Sequence, residues 1–511
     1  MKTKKRKAFT LIELLAVITV LGIVAFIAIP IVNNVVKEAK DKAFKSAVIE
    51  ISNKVEETCQ LERLEKQKIT NLYTIVNKKL DVPLKVKGKL PKNGYILVDK
   101  DCNVAYSFYD DNNVASKNFK EKRFIIHNKD NAPSYGLEWK SNLDDSIETY
   151  SRTLDANDIN DESVNVQVGD VEVNNVFDDF DIYKDILPYV DSFGNEFMLI
   201  PKFYISKTKK ITNTQVIWNY AVSKHKLDDT YYLPSNFIDE GIDNLQKTEL
   251  PYVLIGKYEG AIEVIDSSEK LVSKPNLNPK VEISINEVRN YINNYNDHDK
   301  IDGYQQYDIH IHDLLNVLFA IEFKTMNTQS IMRGYVDNQV ITNTGGSDFI
   351  TSSSGTISND GHNSFHYRGI ENLWGNIWKF VEGLNIVQKK ADPSDIYTSF
   401  NARYYSSNTI TKYNQKIESY NKLNTNGIVK ESGFDSKYPF VNLPTKVGGS
   451  FNIGIGDYFN QSLNVGYKIT LIGGDWDNGD YAGMNYFTLG WNYNSNAAYA
   501  GFRIVKTPIQ N

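Results

Sequence analysis

The chain is predicted to be α+β: one long N-terminal helix, a small head of short antiparallel strands, then a larger mixed region. Three observations predict this. From Leu14 to Val32 no side chain is charged, and Glu13 is the only ionisable group between Phe9 and Val32. At about 1.5 Å per helical residue this stretch spans roughly 28 Å, the thickness of a bilayer's hydrocarbon core. Next, Ala43, Ala47, Ile51, Val55 and Cys59 recur every four residues with Phe44 and Val48 beside them. Lys and Glu take the other faces, so this is the stripe of an amphipathic helix lying on a core. Finally, residues 95–98, 104–109 and 124–126 are short apolar runs separated by Asp/Asn turns, the pattern of strands. Residues 70–80 are expected to form a second short helix that stops before Val82-Pro83.

The apolar run follows a basic leader, Lys2, Lys4, Lys5, Arg6 and Lys7. The positive-inside rule puts that leader in the cytoplasm and everything after Val32 outside. A secretory signal would carry its small-residue cleavage site after the apolar core, whereas Ala8-Phe9 comes before it. A plain signal anchor explains the flank and the span. It leaves Glu13, a carboxylate at the edge of the hydrocarbon, without a task.

The run Lys7-Ala8-Phe9-Thr10-Leu11-Ile12-Glu13-Leu14-Leu15 resembles the cleavage and methylation motif of type IV pilins and pseudopilins. The resemblance implies that prepilin peptidase cuts between Ala8 and Phe9 and that the new Phe9 amine is methylated. It also implies that Glu13 pairs with a neighbouring subunit's N-terminal amine during pilus assembly. Gly22 and Pro30 fall where that family carries a glycine and a kinking proline. Ala8 departs from the usual glycine but is small enough for cleavage. The division that follows is a leader at 1–8, a pilin-like helix and head at 9–127, a polar turn-rich linker at 128–134 and a large region at 135–511.

At 511 residues the chain exceeds one ordinary domain. Its formal net charge is -6; without the leader's five positive charges, 52 Lys and Arg face 63 Asp and Glu, a balance of -11. That argues against nucleic acid as the main partner, since such binding needs cations to neutralise phosphates. Both cysteines, Cys59 and Cys102, lie in the first region. An exported head with a thin core gains from a disulfide between them, and two separate buried thiols are the alternative. With no histidine pair nearby they do not suggest a metal site.

In the larger region, Val164, Val166, Val168, Val171 and Val173 alternate as in a strand, and residues 193–205 and 252–260 read as strand and turn. Helices are expected at 285–295 and 309–325, and an exposed Ser/Thr/Gly/Asn-rich excursion at 338–363. Residues 368–381 (Arg-Gly-Ile-Glu-Asn-Leu-Trp-Gly-Asn-Ile-Trp-Lys-Phe-Val), 473–476 (Gly-Gly-Asp-Trp) and 501–505 (Gly-Phe-Arg-Ile-Val) are the strongest motifs. Together they resemble the formylglycine-generating-enzyme branch of the C-type-lectin-like fold. With Ile200-Pro-Lys-Phe-Tyr204, Ile255-Gly-Lys-Tyr258, Gly303-Tyr-Gln-Gln306 and the run at 321–329 (Ile-Glu-Phe-Lys-Thr-Met-Asn-Thr-Gln), the stretch from Tyr135 onward also resembles C-terminal domains of phage tail and prophage structural proteins from low-GC Gram-positive bacteria.

That branch's oxidase chemistry uses a copper-binding cysteine pair late in the fold. No cysteine follows Cys102, so the expectation is a protein without catalysis. His310 and His312 precede an apolar helical run and read as a polar helix start. His362 and His366 lie in a loop-like stretch where their spacing carries no meaning. Residues 296–303 supply calcium-type oxygen ligands, but Asp308 stands where a bidentate Glu belongs. No cofactor is expected, with calcium the open alternative.

Between Gly473 and Arg503 the chain is dense in aromatic rings and Asn/Ser, a composition that gives rigid contact area with adaptable hydrogen bonding. Asp477, Asn478, Asp480, Tyr481, Asn485, Tyr486, Asn492 and Tyr493 are the expected ligand-binding residues, with Trp476 and Trp491 assigned to the core. The expected function is a minor pilin-like surface subunit, extracellular after processing. Its partners are prepilin peptidase, other pilin subunits, the membrane and an extracellular glycan or protein. A structural pseudopilin of a secretion or DNA-uptake machine is the alternative.

Overall fold

A computed structural model describes residues 10–142, 149–239, 247–265, 267–299, 303–388, 395–398, 415–416, 425–435, 438–452, 454–461 and 465–508. It shows the α+β organisation. Helix α1 (Leu11–Leu64) is 54 residues long, about 80 Å, with Pro30 inside it. It begins at Thr10, whose hydroxyl accepts the Glu13 backbone N–H while the Glu13 carboxylate accepts the Thr10 N–H, a reciprocal cap. Its first half is uncovered: Leu11 and Phe26 are 83% and 82% exposed. By length and composition this helix can cross a membrane.

Its second half packs. Phe44, Val48, Ile51, Val55 and Cys59 are buried against Tyr73, Ile75, Ile96, Val104, Tyr106 and Phe108 of a six-stranded antiparallel sheet. The strand order is Lys79–Leu80, Leu72–Val76, Asn93–Val98, Val104–Tyr109, Asn113–Lys117 and Ile125–Asn128. Residues 70–80 are therefore a hairpin, not the expected helix. Asn77 and Lys78 both take left-handed conformations (φ 51° and 63°) and close a two-residue turn, and Tyr73 and Ile75 point into the head core. Cys59 on α1 is bonded to Cys102 in the turn before the Val104 strand.

The connection at 128–134 is pinned at both ends. The Asn128 N–H donates to Asn131 Oδ1 at 2.8 Å, and the Ser134 N–H donates to Asp155 Oδ2 at 2.7 Å. Beyond it, one five-stranded sheet runs Leu187–Val190, Glu196–Pro201, Tyr252–Gly256, Ile504–Lys506, Tyr304–Gln306. A second runs Tyr231–Tyr232, Tyr204–Ile211, Gln215–Ser223, Tyr135–Asn142, Thr149–Leu154. The head docks on the first: Tyr95 and Leu97 share a core with Phe197, Leu199, Tyr252 and Leu254, and the Thr74 and Tyr252 hydroxyls bond at 2.9 Å.

Helix α2 (Ile285–Asp299) and helix α3 (Ile309–Phe323) stand at the expected places. Every residue of α3 is buried, and Asp308 caps it by accepting the Ile311 N–H. The largest sheet runs Gln415–Lys416, Asp395–Thr398, Trp378–Gln388, Gly466–Gly473, Gly483–Trp491, Tyr458–Gln461, Gly427–Asp435, Tyr438–Val447, with Ala500–Gly501 parallel to Trp378–Gln388.

Two further expectations are corrected. The 338–363 segment is exposed only in part: residues such as Gln339, Val340, Phe349 and Asn359 face solvent, but Thr344, Ser347, Ser354 and Thr356 are buried, and their hydroxyls find internal partners. Thr344 donates to the Lys274 carbonyl and Ser347 to the Glu371 carboxylate. Of the alternating valines, only Val168 lies in a strand, Gln167–Val168, paired in parallel with Gly355–Thr356; the Val173 backbone instead bonds the Ser352 hydroxyl, and the Asn165 and Asn175 side chains brace the loop by donating to the Asn174 and Asn165 carbonyls.

Candidate ligand-binding face and processed helix

The three motifs that dominate the sequence build a frame. Gly473 and Gly474 hold φ of +94° and +77°, a conformation that disfavours other residues. This turn lets Gly473 accept the Gly375 N–H at 3.1 Å and Trp476 donate to the Asn376 carbonyl at 3.2 Å. Phe502 lies so close over Gly260 that a Cβ there would meet its ring at 2.2 Å. The buried Arg503 guanidinium donates to the carbonyls of Gly256, Lys257, Glu371 and Asn372, replacing water around a charge with four oriented dipoles. These motifs thus fasten the end of the chain to the 256–260 and 371–376 turns.

Between the frame strands the side chains face two ways. Asp477 and Asp480 are exposed, and Tyr481 is 46% exposed. Asn478 is half-buried and uses its side-chain oxygen to accept the Asp475 N–H at 3.0 Å. Asp480 takes a 2.7 Å ion pair from Arg333, which also holds Asp337 at 2.6 Å; the two carboxylates push the guanidinium's pKa up. Asn492 is exposed and accepts from Lys468 at 2.5 Å, and Tyr493 is half-buried against the neighbouring core.

Asn485 and Tyr486, expected on the surface, are internal. Asn485 is 1% exposed, donates to the Met326 carbonyl and accepts from Asn316, tying its strand to α3. Tyr486 is 8% exposed, its ring 4.4 Å from Trp378 and 5.9 Å from Tyr458. In a strand buried on both faces, alternation does not mark an outward residue. Trp476 and Trp491, expected in the core, are half-buried instead: Tyr499 lies between them at 6.5 and 6.1 Å.

Two groups of rings reach the surface from this segment. One is Trp476, Tyr499 and Trp491. The other is Tyr481 with Phe451 and Tyr458 at 5.5 and 4.8 Å. Arg333, Phe451 and Tyr458 were not expected at the site. Phe451 and Tyr458 stand in a Gly/Asn-rich stretch of the same composition as 473–503, which is the signal that marks them; a lone Arg333 carries none. Behind the rings, burial pushes the Asp475 carboxyl's pKa up.

Among the described residues no cluster of His, Cys, Asp or Glu has the arrangement of a metal site. The calcium-like stretch at 296–303 falls on the end of α2 and on residues partly outside those described. His312 is locked to the Met484 carbonyl at 2.7 Å, and burial pushes its pKa down to about 4.

At the other end of the molecule, Ala8 and Phe9 lie outside the described residues, while Glu13 sits in the first turn of α1, exposed and held by Thr10. Comparison with known proteins locates the informative likeness there. The family model for the prokaryotic N-terminal methylation motif matches residues 3–29. No curated protein matches the chain significantly. Among solved structures, PvdO from Pseudomonas aeruginosa aligns at 9% identity and a TM-score of 0.26, covering 63% of this chain and 98% of its own. Treponema denticola variable protein 1 aligns at 10% identity and a TM-score of 0.27, covering 63% of this chain and 99% of its own. The methylation motif, followed directly by a helix long and apolar enough to span a bilayer, gives this chain the N-terminus of a type IV pilin-like protein, processed by prepilin peptidase and anchored in a membrane.

Proposed function

We propose that this chain is a minor pilin-like subunit that carries an extracellular ligand-binding region, and that it binds without catalysis. The observation that supports it is the division of labour between Gly473 and Arg503. Framework residues there are locked by backbone hydrogen bonds, while Trp476, Tyr481, Trp491 and Tyr499 bring aromatic edges to the surface beside Asp477 and Asn492. Rigid rings lose little entropy on binding and flanking amides adapt, so such a surface suits a glycan or protein ligand. Almost 400 residues behind one helix would crowd a tightly packed fibre if every subunit carried them. A tip or intermittent position suits this chain better than the bulk repeat.

The test uses the full chain in detergent on a glycan and cell-surface panel, together with its copy number in isolated fibres. Binding should fall at least tenfold in Tyr481→Ala with Tyr499→Ala while thermal stability is kept. Binding that survives both substitutions, or a subunit as abundant as the main pilin, overturns the reading.

A further inference from the structure

Outside the face just described, one buried cluster has more chemistry than its structural role requires. Glu259, Asn376 and Lys379 are 0%, 0% and 2% exposed. The Lys379 ammonium lies 3.0 Å from Glu259 Oε1 and also donates to the Gly375 carbonyl at 2.7 Å, so it curls back over its own turn. The Asn376 side-chain amide donates from Nδ2 to Glu259 Oε2 at 2.5 Å and to the Thr342 carbonyl at 3.2 Å. Its Oδ1 accepts the Thr342 backbone N–H at 2.9 Å. One carboxylate thus bridges a lysine amine and an amide nitrogen, and a backbone N–H polarises that amide's carbonyl in a site closed to water.

We propose that Lys379 and Asn376 join in an intramolecular amide bond, with Glu259 as the proton carrier. Glu259 takes a proton from the Lys379 ammonium, and the freed Nζ attacks Asn376 Cγ while the Thr342 N–H stabilises the developing oxyanion. Glu259 passes that proton to Nδ2 and takes the second proton from Nζ, the tetrahedral centre collapses with loss of Nδ2 as ammonia, and the ammonia carries the second proton away from Glu259 as ammonium. The Nζ–Cγ bond forms, the Cγ–Nδ2 bond breaks, and one ammonia leaves for each bond formed. No oxidant, metal or cofactor is needed. Burial favours the nucleophile, pushing the Lys379 pKa down to about 8, against the pull of Glu259 and Asp475 and with the push of Arg503. Once the bond has formed and Glu259 is again a carboxylate, Arg503 remains beside it to balance its charge, and a buried ammonium no longer has to be desolvated. The bond would fix the Gly375–Asn376 turn that supports Gly473 and Trp476, at the base of the aromatic segment.

The test is the intact mass and peptide map of the full chain purified in detergent. The expected result is a chain lighter by one ammonia than its processed, disulfide-bonded sequence, with no tryptic cleavage after Lys379 and fragment ions that place the loss across Asn376 and Lys379. Lys379→Met and Glu259→Gln should each restore the full mass. A wild-type chain of full mass overturns the proposal and leaves a plain ion pair. A loss of ammonia that persists in Lys379→Met also overturns it, because it marks imide closure at Asn376-Ile377. Should Glu259→Gln fail to fold, the wild-type peptide map still decides.

Discussion

The head and the large region bury their interiors by opposite means. In the head, the buried polar residues among those described are Ser52, Thr74, Asn93, Ser107, Asn113, Ser116 and Asn118, and none is charged. Its core is one face of α1 against one sheet, joined by a disulfide that closes a 43-residue separation. The large region instead buries whole ion pairs: Lys207 with Asp313, Arg368 with Glu322, and Arg289 with Glu382. The difference follows size. A head of this length buries too little apolar surface to offset the desolvation of charges, and a cross-link compensates. A region of more than 300 residues has that surplus, and each of its pairs ties elements distant in sequence.

The largest effect expected from breaking this contrast is at Lys207 and Asp313. Lys207, on strand Tyr204–Ile211, meets both carboxylate oxygens of Asp313 on α3 at 2.5 and 2.6 Å, with side-chain exposures of 0% and 3%. Burial pushes each toward its neutral form and their attraction pulls back. Asp313→Ala strands a buried ammonium and should cost about 3–5 kcal/mol in chemical denaturation, whereas Lys207→Met with Asp313→Leu should recover most of it. Equal losses in the single and double variants would show that packing, not the unpaired charge, sets the cost.

Next in size is the head's staple. Cys59→Ser with Cys102→Ser should cost about 2–4 kcal/mol, as expected for a loop of this length. Hydrogen exchange should accelerate in Asn93–Val98 and Val104–Tyr109 while α3 keeps its protection. If α3 loses protection equally, the shared core of Tyr95, Leu97, Phe197 and Tyr252 makes the two interiors one cooperative unit.

These contrasts differ in how far the sequence announces them. The α1 stripe is legible because one helix face meets one core, so a four-residue period survives from Ala43 to Cys59. Helix α2 is legible for the same reason; α3, buried on every side, is legible instead from its apolar run at 314–321 behind the capping Asp308, and the pilin-like motif because its residues are contiguous. The hairpin at 72–80 is hidden because Tyr73 and Ile75 face the head while Leu72 and Thr74 face the large region, which erases the period of two. Asn485 and Tyr486 sit on a strand that also packs on both sides, so composition placed them outside. The 338–363 segment reads as loop because its Ser and Thr are polar. Their burial depends on acceptors such as Glu371 and Lys274, which no local pattern reveals.

The smallest expected effect concerns Asp308, the cap of α3. Burial pushes its carboxyl up to about 7, while Ile311, Asn236 and the start of the helix hold it only in part. Since the folded value lies above the unfolded value of about 4, the folded state keeps a proton that the unfolded state gives up between pH 4 and 7. This contribution is fully present below about pH 4 and is lost as pH rises through 7. Asp308→Asn makes the group permanently neutral and preserves a good cap. Asn236 supplies the complement: its Oδ1 is buried without a hydrogen bond, and by flipping it can accept the new amide N–H. Asp308→Asn should therefore be more stable than the natural chain by about 1–2 kcal/mol at pH 8, with the advantage gone by pH 4. Denaturant midpoints at the two pH values measure it. A variant less stable at pH 8 would mean that the large region solvates this carboxylate as fully as it pairs Asp313, and the contrast between paired and unpaired buried charge would not extend to the cap of α3.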